Sequence, residues 1–361
     1  MLDLTAFWSS PAFSWPAARK TSVLVSALAE LDRHHEENCA EYRKMKRVLN
    51  HVPEFRAVED FPFLPVRLFK MYDLRSAAEQ RSSKTMTSSG TTGQAVSRIF
   101  IDKGTAILQT RALAHILKDF IGGKRLPMII VDSRTILAGP GRFSARGAGV
   151  VGMSAFGRDH FFALNENMEL DYDGLSAYAA KHSDECIFIF GFTFMVWRHF
   201  VQALGSRGIR LDIPNAVLIH GGGWKKLQEE RVDNDTFKRS VSEVCGGHVR
   251  VHNFYGLIEQ TGSIYMECEH GNLHASNFSQ VIIRHPISHQ PVSYRERGVV
   301  ETVSVLPWSY PGHALLTEDL GELRGEDDCP CGRCGRHFSI IGRLRKAELR
   351  GCSDTYAMGR R

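Results

Sequence analysis

The chain has 361 residues, 43% of them apolar and 24% charged, and its 45 Lys and Arg against 40 Asp and Glu leave a formal net charge of only +5. That length suffices for a sizeable core in one large or two ordinary domains, and basic residues dispersed among acids weigh against the concentrated basic face that nucleic-acid binding requires. No apolar run approaches the roughly 20 residues that span a bilayer, and the opening MLDLTAFWSSPAFSWPAARK, with Asp3 and no basic n-region, does not read as a secretory signal. Its aromatics Phe7, Trp8, Phe13 and Trp15 are expected to cap a core or a ligand channel. In chain order, the charge-rich stretch 22–50 predicts a helix with a turn at Pro53. "FPFLPVRLFK" (61–70) carries two prolines and predicts extended or irregular chain. "AVSRIFI" alternates like a strand, and 105–121 sets Leu113, Ile116, Leu117, Phe120 and Ile121 on one helical face, closed by Gly122-Gly123.

Four further segments share one character. "LPMIIVDS", "CIFIFGF" (186–192), "NAVLIHGGG" (215–223) and "VRVHNFYG" (249–256) are short continuous apolar runs, the mark of strands buried on both faces. Helices are predicted over 194–204 and 224–244 between them. Strands alternating with helices predict an α/β architecture with a parallel sheet, in which ligands bind beyond the carboxyl ends of strands. The turns Gly191, Gly221 to Gly223 and Tyr255-Gly256 fall at those ends. Beyond 270, "NFSQVIIRH", "VVETVSVL" and "HALLTEDLGEL" predict a β-rich subdomain, about 270–341. No internal repeat is present.

"TMTSSGTTGQAVSRI" (85–99) concentrates hydroxyls and glycines. Successive backbone N–H groups in such a turn make an anion-binding concavity, and Ser and Thr hydroxyls add donors. Thr87, Ser88, Ser89, Gly90, Thr91, Thr92 and Gly93 suit a triphosphate, although an ordinary flexible turn has the same composition. No Gly-Lys-Ser/Thr follows, so the loop is not a Walker A.

TSSGTTGQ, the Gly221-Gly222-Gly223 turn, Tyr255-Gly256-Leu257-Ile258-Glu259, Asp319 in "LLTEDLGEL" and a Gly342-Arg343 turn occur in this order over most of the chain. Together they resemble the motifs of the adenylate-forming superfamily, which includes acyl-CoA synthetases, peptide-synthetase adenylation domains and luciferases. Asp319 stands in Thr317-Glu318-Asp319, with Glu318 where the usual motif Thr-Gly-Asp has glycine. "FLPVRLFKMYDLRS" and the short end after Gly342-Arg343 look like the acyl-protein synthetase (LuxE-type) family of bacterial fatty-acid reductase systems, with phenylacetate–CoA ligases as near relatives sharing a "CGR" stretch. The resemblance implies a large adenylate-forming domain over 1–341, with the small C-terminal domain missing or rudimentary and 342–361 forming a hinge and a tail. It implies ATP and Mg²⁺ as cofactors, Glu259 as the Mg²⁺ ligand, Tyr255 and the Gly221 turn at adenine, and Asp319 with Arg343 at the ribose. Cys352, in "LRGCSDTY", stands where that family carries the acyl group as a thioester, for delivery to a partner reductase or carrier protein. The superfamily's catalytic lysine belongs to that small domain, so the resemblance, with the domain missing or rudimentary, implies that charge on the transferring phosphate falls to Lys346, Arg343 or a partner. "FGFTFMVW" (190–197), with Phe192, Thr193 and Phe194, is the expected acyl pocket. Two rival functions remain: a CoA ligase in which Cys352 is incidental, and a non-catalytic nucleotide-binding scaffold. His220 and His252 lie at strand ends but are assigned no catalytic role.

With no export signal, the eight cysteines are expected to be reduced thiols or metal ligands in a cytoplasmic protein. Cys329-Pro-Cys331-Gly-Arg-Cys334 has the short spacing of a zinc knuckle. Cys268 is the expected fourth ligand, with His270 or His274 as substitutes; the alternative is free thiols in a β-turn. A catalytic zinc is not expected.

Overall fold

A computed structural model describes residues 4–48, 54–77, 82–87, 96–138, 144–213, 215–224 and 229–344. The strands among them, in chain order, are β1 (Leu64–Pro65), β2 (Ser82–Thr87), β3 (Arg98–Asp102), β4 (Leu126–Ser133), β5 (Gly157–Leu164), β6 (Ile187–Phe192) and β7 (Asn215–Gly221), then β8 (His248–Tyr255), β9 (Tyr265–Glu267), β10 (Leu273–His274), β11 (Ser279–Arg284), β12 (Arg297–Ser304), β13 (Ala314–Glu326) and β14 (Arg336–Arg343). They fall into two compact units, one built from the described residues of Met1–Thr87, Ala95–Asp119 and Gly256–Glu348, the other from those of Phe120–Tyr255.

The second unit is a parallel sheet in the order β8-β7-β6-β4-β5. Nearly every residue of β4, β6 and β7 is buried, because helices cover both faces and each side chain meets a core. Helices Ala145–Ser154, Tyr172–Lys181 and Asn234–Cys245 fill the crossovers. The segment after β6 is helical from Thr193 to Ser206 but widens to π-helix over Trp197–Val201. Strand β5 and its flanking helices were not anticipated. As an edge strand, "GRDHFFAL" leaves residues 158–160 exposed, so it lacks the apolar run that marks its neighbours. The helix predicted over 224–244 begins only at Asn234, where the Asp233 carboxylate accepts the Thr236 N–H at 2.8 Å and caps the first turn.

In the first unit the strands are ordered β11-β12-β13-β14-β10-β9, with β1 parallel to β13 and β2–β3 a separate antiparallel hairpin. β14 was also unanticipated, and it places Gly342-Arg343 within a ladder opposite Leu320 and Asp319 rather than in a turn. The helix predicted over 22–50 is two: Ala17–Asn38, then Ala40–Val48, broken at Cys39, whose backbone is extended. The Asn38 side chain donates to the His34 carbonyl at 2.8 Å, closing the first helix. The N-terminal aromatics cap a core: Phe7 lies 4.9 Å from Trp15 and 5.4 Å from Phe278, ring to ring.

A buried polar network ties the two N-terminal helices to the strand system. Tyr42 donates to Asp32 at 2.7 Å and accepts from His313 Nε2 at 3.3 Å, while Lys46 bonds Asp32 and Glu36 at 2.5 and 2.6 Å. His35 donates from Nε2 to the Pro307 carbonyl at 3.0 Å, accepts from Ser76 at 2.8 Å, and stacks on His313 with centroids 5.0 Å apart. Burial lowers the His313 pKa to about 4, outweighing the attraction of Asp32. The folded state thus keeps this imidazole neutral, whereas the unfolded chain protonates it below about 6.5. Its contribution is complete above that pH and lost as pH falls toward about 4. The difference in urea-unfolding free energy between wild type and His313→Gln should shrink by about 1.4 kcal/mol per pH unit across that window. A difference independent of pH would contradict a neutral buried His313.

Candidate functional site

The second unit supplies a set of strand ends. β6 and β7 run in register with Phe192 beside Gly221, and β7 and β8 with Gly221 beside Phe254. The Gly221 turn and Tyr255 therefore emerge at the same end of adjacent strands. The Thr193 hydroxyl lies 3.0 Å from the Gly221 carbonyl and 2.9 Å from His220 Nδ1. A hydroxyl has one proton, so it donates to the carbonyl and accepts from Nδ1–H, which fixes the His220 tautomer. His220 Nε2 is then a buried acceptor with no hydrogen-bond partner among the described residues, and burial holds the His220 pKa down at about 3.

Phe192 is a wedge at this end. A Cβ on Gly222 would lie 2.8 Å from Phe192 Cδ1, and one on Gly149 would lie 2.9 Å from its Cζ. Gly222 also has φ +85° and Gly223 φ +63°, the left-handed region that side chains resist. Phe192, Thr193 and Phe194 are all buried. Among the aromatics here, Phe237 and Trp224 were missed by sequence reasoning. Phe237 lies 4.4 Å from His220 and 5.9 Å from Trp197, and only its position on the apolar face of Asn234–Cys245 hints at this. His252 packs edge-on against Phe120 at 4.9 Å.

The first unit holds the acids. Glu259 sits on the one-turn 3₁₀ helix Ile258–Gln260 and is 3% exposed. Its neighbour Gln260 donates to the Thr302 and Gly312 carbonyls at 3.0 and 2.8 Å, fixing that turn. Farther along, Thr317 donates to the Val300 carbonyl at 2.7 Å and accepts the Asp319 N–H at 3.1 Å. Asp319 and Arg343 are cross-strand partners and form an ion pair at 3.1 Å. Glu318 bonds Arg67 at 2.8 Å and lies 3.5 Å from Arg343. Arg67 and Glu318 were not singled out from the sequence, since a lone charge gives no signal of its partner 251 positions away.

A second cluster in this unit brings together Cys268, His274, Cys329 and Cys331, their ligand atoms all within 4.8 Å of one another. Cys334, expected among the ligands, is not part of it. Its N–H bonds the Phe13 carbonyl at 2.9 Å, and the turn through Gly332 (φ +79°) carries the chain away after Cys331. His274, on β10, takes the fourth place. Thr87 ends β2 opposite Arg98. Ser88 to Gly93, Lys346 and Cys352 lie outside the described residues.

Ala at Gly222 should destabilise the protein by about 1–3 kcal/mol more than Ala at Gly223, since both positions are left-handed but only Gly222 abuts Phe192. Thermal or urea unfolding checks this, and equal losses would contradict the wedge.

The family model for acyl-protein synthetase, LuxE, matches residues 3–359. A long-chain-fatty-acid–luciferin-component ligase of Vibrio harveyi is 22% identical over 333 residues, covering 89% of this chain and 84% of that protein. A ligase of the same name from Aliivibrio fischeri is 21% identical over 379 residues, with 99% and 93% covered. Among solved structures, an open conformation of 2-hydroxyisobutyryl-CoA ligase with 2-HIB-AMP and CoA superposes with a TM-score of 0.71 at 15% identity, over 93% of this chain and 77% of that one. The same ligase in its thioesterification state gives a TM-score of 0.70 at 16% identity, over 92% and 70%. The large domain of adenylate-forming ligases is thus the fold of this chain, as its motifs implied. The chain belongs to the acyl-protein synthetase, LuxE family.

Proposed function

We propose that this chain activates a fatty acid with ATP and hands the acyl group to a thiol, Cys352, for delivery to a reductase or carrier partner. Its relatives are named as ligases of long-chain fatty acids, and adenylate-forming ligases use ATP, generally with Mg²⁺. The observation that carries the reading is the Asp319–Arg343 pair, formed across β13 and β14 by two residues that the family resemblance assigns to one ribose.

In the first step a carboxylate oxygen attacks the α-phosphorus, the bond to pyrophosphate breaks, and an acyl-adenylate forms. In the second the Cys352 thiolate attacks the acyl carbon, the mixed anhydride breaks, and AMP leaves with its electron pair while the thiol proton passes to solvent. Most of the catalysis is positioning and charge neutralisation. Asp319, oriented by Arg343, accepts from the ribose hydroxyls. Tyr255 and the Gly221 to Gly223 turn flank adenine, and Thr87 to Gly93 donate to the phosphates. Glu259 offers a hard carboxylate oxygen of the kind Mg²⁺ prefers, and the ion would neutralise phosphate charge there. Lys346 takes the part of the cation otherwise supplied by the superfamily's small domain, and Phe192, Thr193 and Phe194 border the acyl chain. In this scheme 1–341 is the activating domain and 342–361 the acceptor segment. We place the reaction in the cytoplasm, in keeping with seven described cysteines that are all free. Among the described residues no helix is long and apolar enough to cross a membrane.

A panel of carboxylic acids read out by pyrophosphate release, with and without coenzyme A, tests the reading. Release should depend on a long-chain acid and not on coenzyme A. Asp319→Ala should raise the KM for ATP about 10- to 100-fold, the loss of a charged hydrogen bond, and Glu259→Gln should cut kcat about 100-fold or more. Release that requires coenzyme A would make the chain a CoA ligase, and no release with any acid would make it a nucleotide-binding scaffold.

A further inference from the structure

We infer that Cys268, His274, Cys329 and Cys331 form a structural zinc site that staples the β9–β10 hairpin to the loop between β13 and β14. All four ligand atoms lie within 4.8 Å of one another, and two of their spacings match a tetrahedron around zinc. With Zn–S about 2.3 Å and Zn–N about 2.0 Å, two sulfurs stand about 3.8 Å apart and a sulfur and a nitrogen about 3.5 Å. Cys268 Sγ and Cys329 Sγ are 3.8 Å apart, and Cys331 Sγ and His274 Nε2 are 3.4 Å apart. A disulfide needs about 2.05 Å, so the first pair is not one. Three thiols and an imidazole make a soft, nitrogen-and-sulfur donor set, which favours zinc over the hard cations that use oxygen.

The surroundings are built to hold the four groups. Cys268 and His274 are 0% exposed and Cys329 6%, Cys331 is half-buried, and the four protein side chains together fill a tetrahedral shell. This closed set marks a structural site and not a catalytic one. Cys268 opens a tight hairpin in which its N–H bonds the Asn272 carbonyl at 2.9 Å and its carbonyl accepts the Gly271 N–H at 3.0 Å. Asn272 Nδ2 also donates to Cys329 Sγ at 3.4 Å, and the Gly332 N–H returns to the Cys329 carbonyl at 3.0 Å. Such outer hydrogen bonds orient ligands and spread the thiolate charge. Three thiolates around a dication leave one net negative charge. Arg333, in the same loop two residues beyond Cys331, brings a positive charge beside the cluster and bonds Glu269 at 3.0 Å.

The staple has a structural consequence. β14 starts immediately after this loop at Arg336 and ends at Arg343, opposite Asp319. The loop geometry therefore sets where β14 enters its ladder. The inference is independent of the proposed reaction.

Full-length protein purified without added chelator and then desalted should carry one equivalent of zinc by mass-spectrometric metal analysis. X-ray absorption should find sulfur at about 2.3 Å and nitrogen at about 2.0 Å in a three-to-one ratio. Cys329→Ser and His274→Ala should lose the metal, whereas Cys334→Ser and His270→Ala should keep it. Where the first pair does not fold, cobalt exchanged into the wild type should show thiolate-to-metal absorption and the spectrum of a tetrahedral site. Metal-free protein with an unchanged melting temperature after chelation, a shell of oxygen ligands, or zinc lost from Cys334→Ser would overturn the assignment.

Discussion

Burial of β4, β6 and β7 on both faces constrains everything else in the second unit. Strands packed on both sides offer a ligand no face, so chemistry can reach this sheet only at the strand ends. There the backbone needs partners of its own, and Thr193 provides them by bridging the carbonyl of Gly221 and the ring of His220. Each such bond contributes only about 1 kcal/mol. Their effect is to hold the last residues of β6 and β7 in one arrangement, with Phe192 set between Gly149 and Gly222. Those glycines are required by the ring, and the ring is required to close the core beneath the turn.

In the first unit the corresponding constraint is register. Asp319 and Arg343 meet because β13 and β14 are aligned with these residues opposite each other, despite irregularities at Leu320/Gly321 and Leu323/Gly325. Thr317 stabilises the approach by bonding both the β12 backbone and the Asp319 N–H. At the other end of the hairpin the cysteine loop fixes where β14 begins. A metal held there would act on the ribose pair only through this ladder, as a positioning device and not as a reactant.

Much of this was legible in the sequence wherever the signal was local and periodic. The four continuous apolar runs gave β4, β6, β7 and β8, and the alternating runs after 270 gave β11 to β13. Asp319 and Arg343 could be named as partners because family motifs fix their order. Elements were missed where the pattern depends on context. β5 is an edge strand with a mixed surface, and β14 lies in a stretch whose Gly342-Arg343 reads as a turn until its partner strand is known. The start of Asn234–Cys245 turned on a single capping aspartate, and the break at Cys39 has no proline or glycine to announce it. The metal cluster was half legible. Spacing alone suggested Cys334, but a backbone bond to Phe13 and the turn at Gly332 direct that thiol elsewhere, and His274 reaches the cluster from a different hairpin.

The account rests on the acyl group passing from AMP to one sulfur of this chain. Intact-protein mass spectrometry after incubation with a long-chain fatty acid, ATP and Mg²⁺, followed by peptide mapping, observes that bond directly. The account predicts a single acyl adduct on Cys352 that hydroxylamine removes and that Cys352→Ser does not form. An adduct on another residue, or none on a protein that releases pyrophosphate, would contradict it.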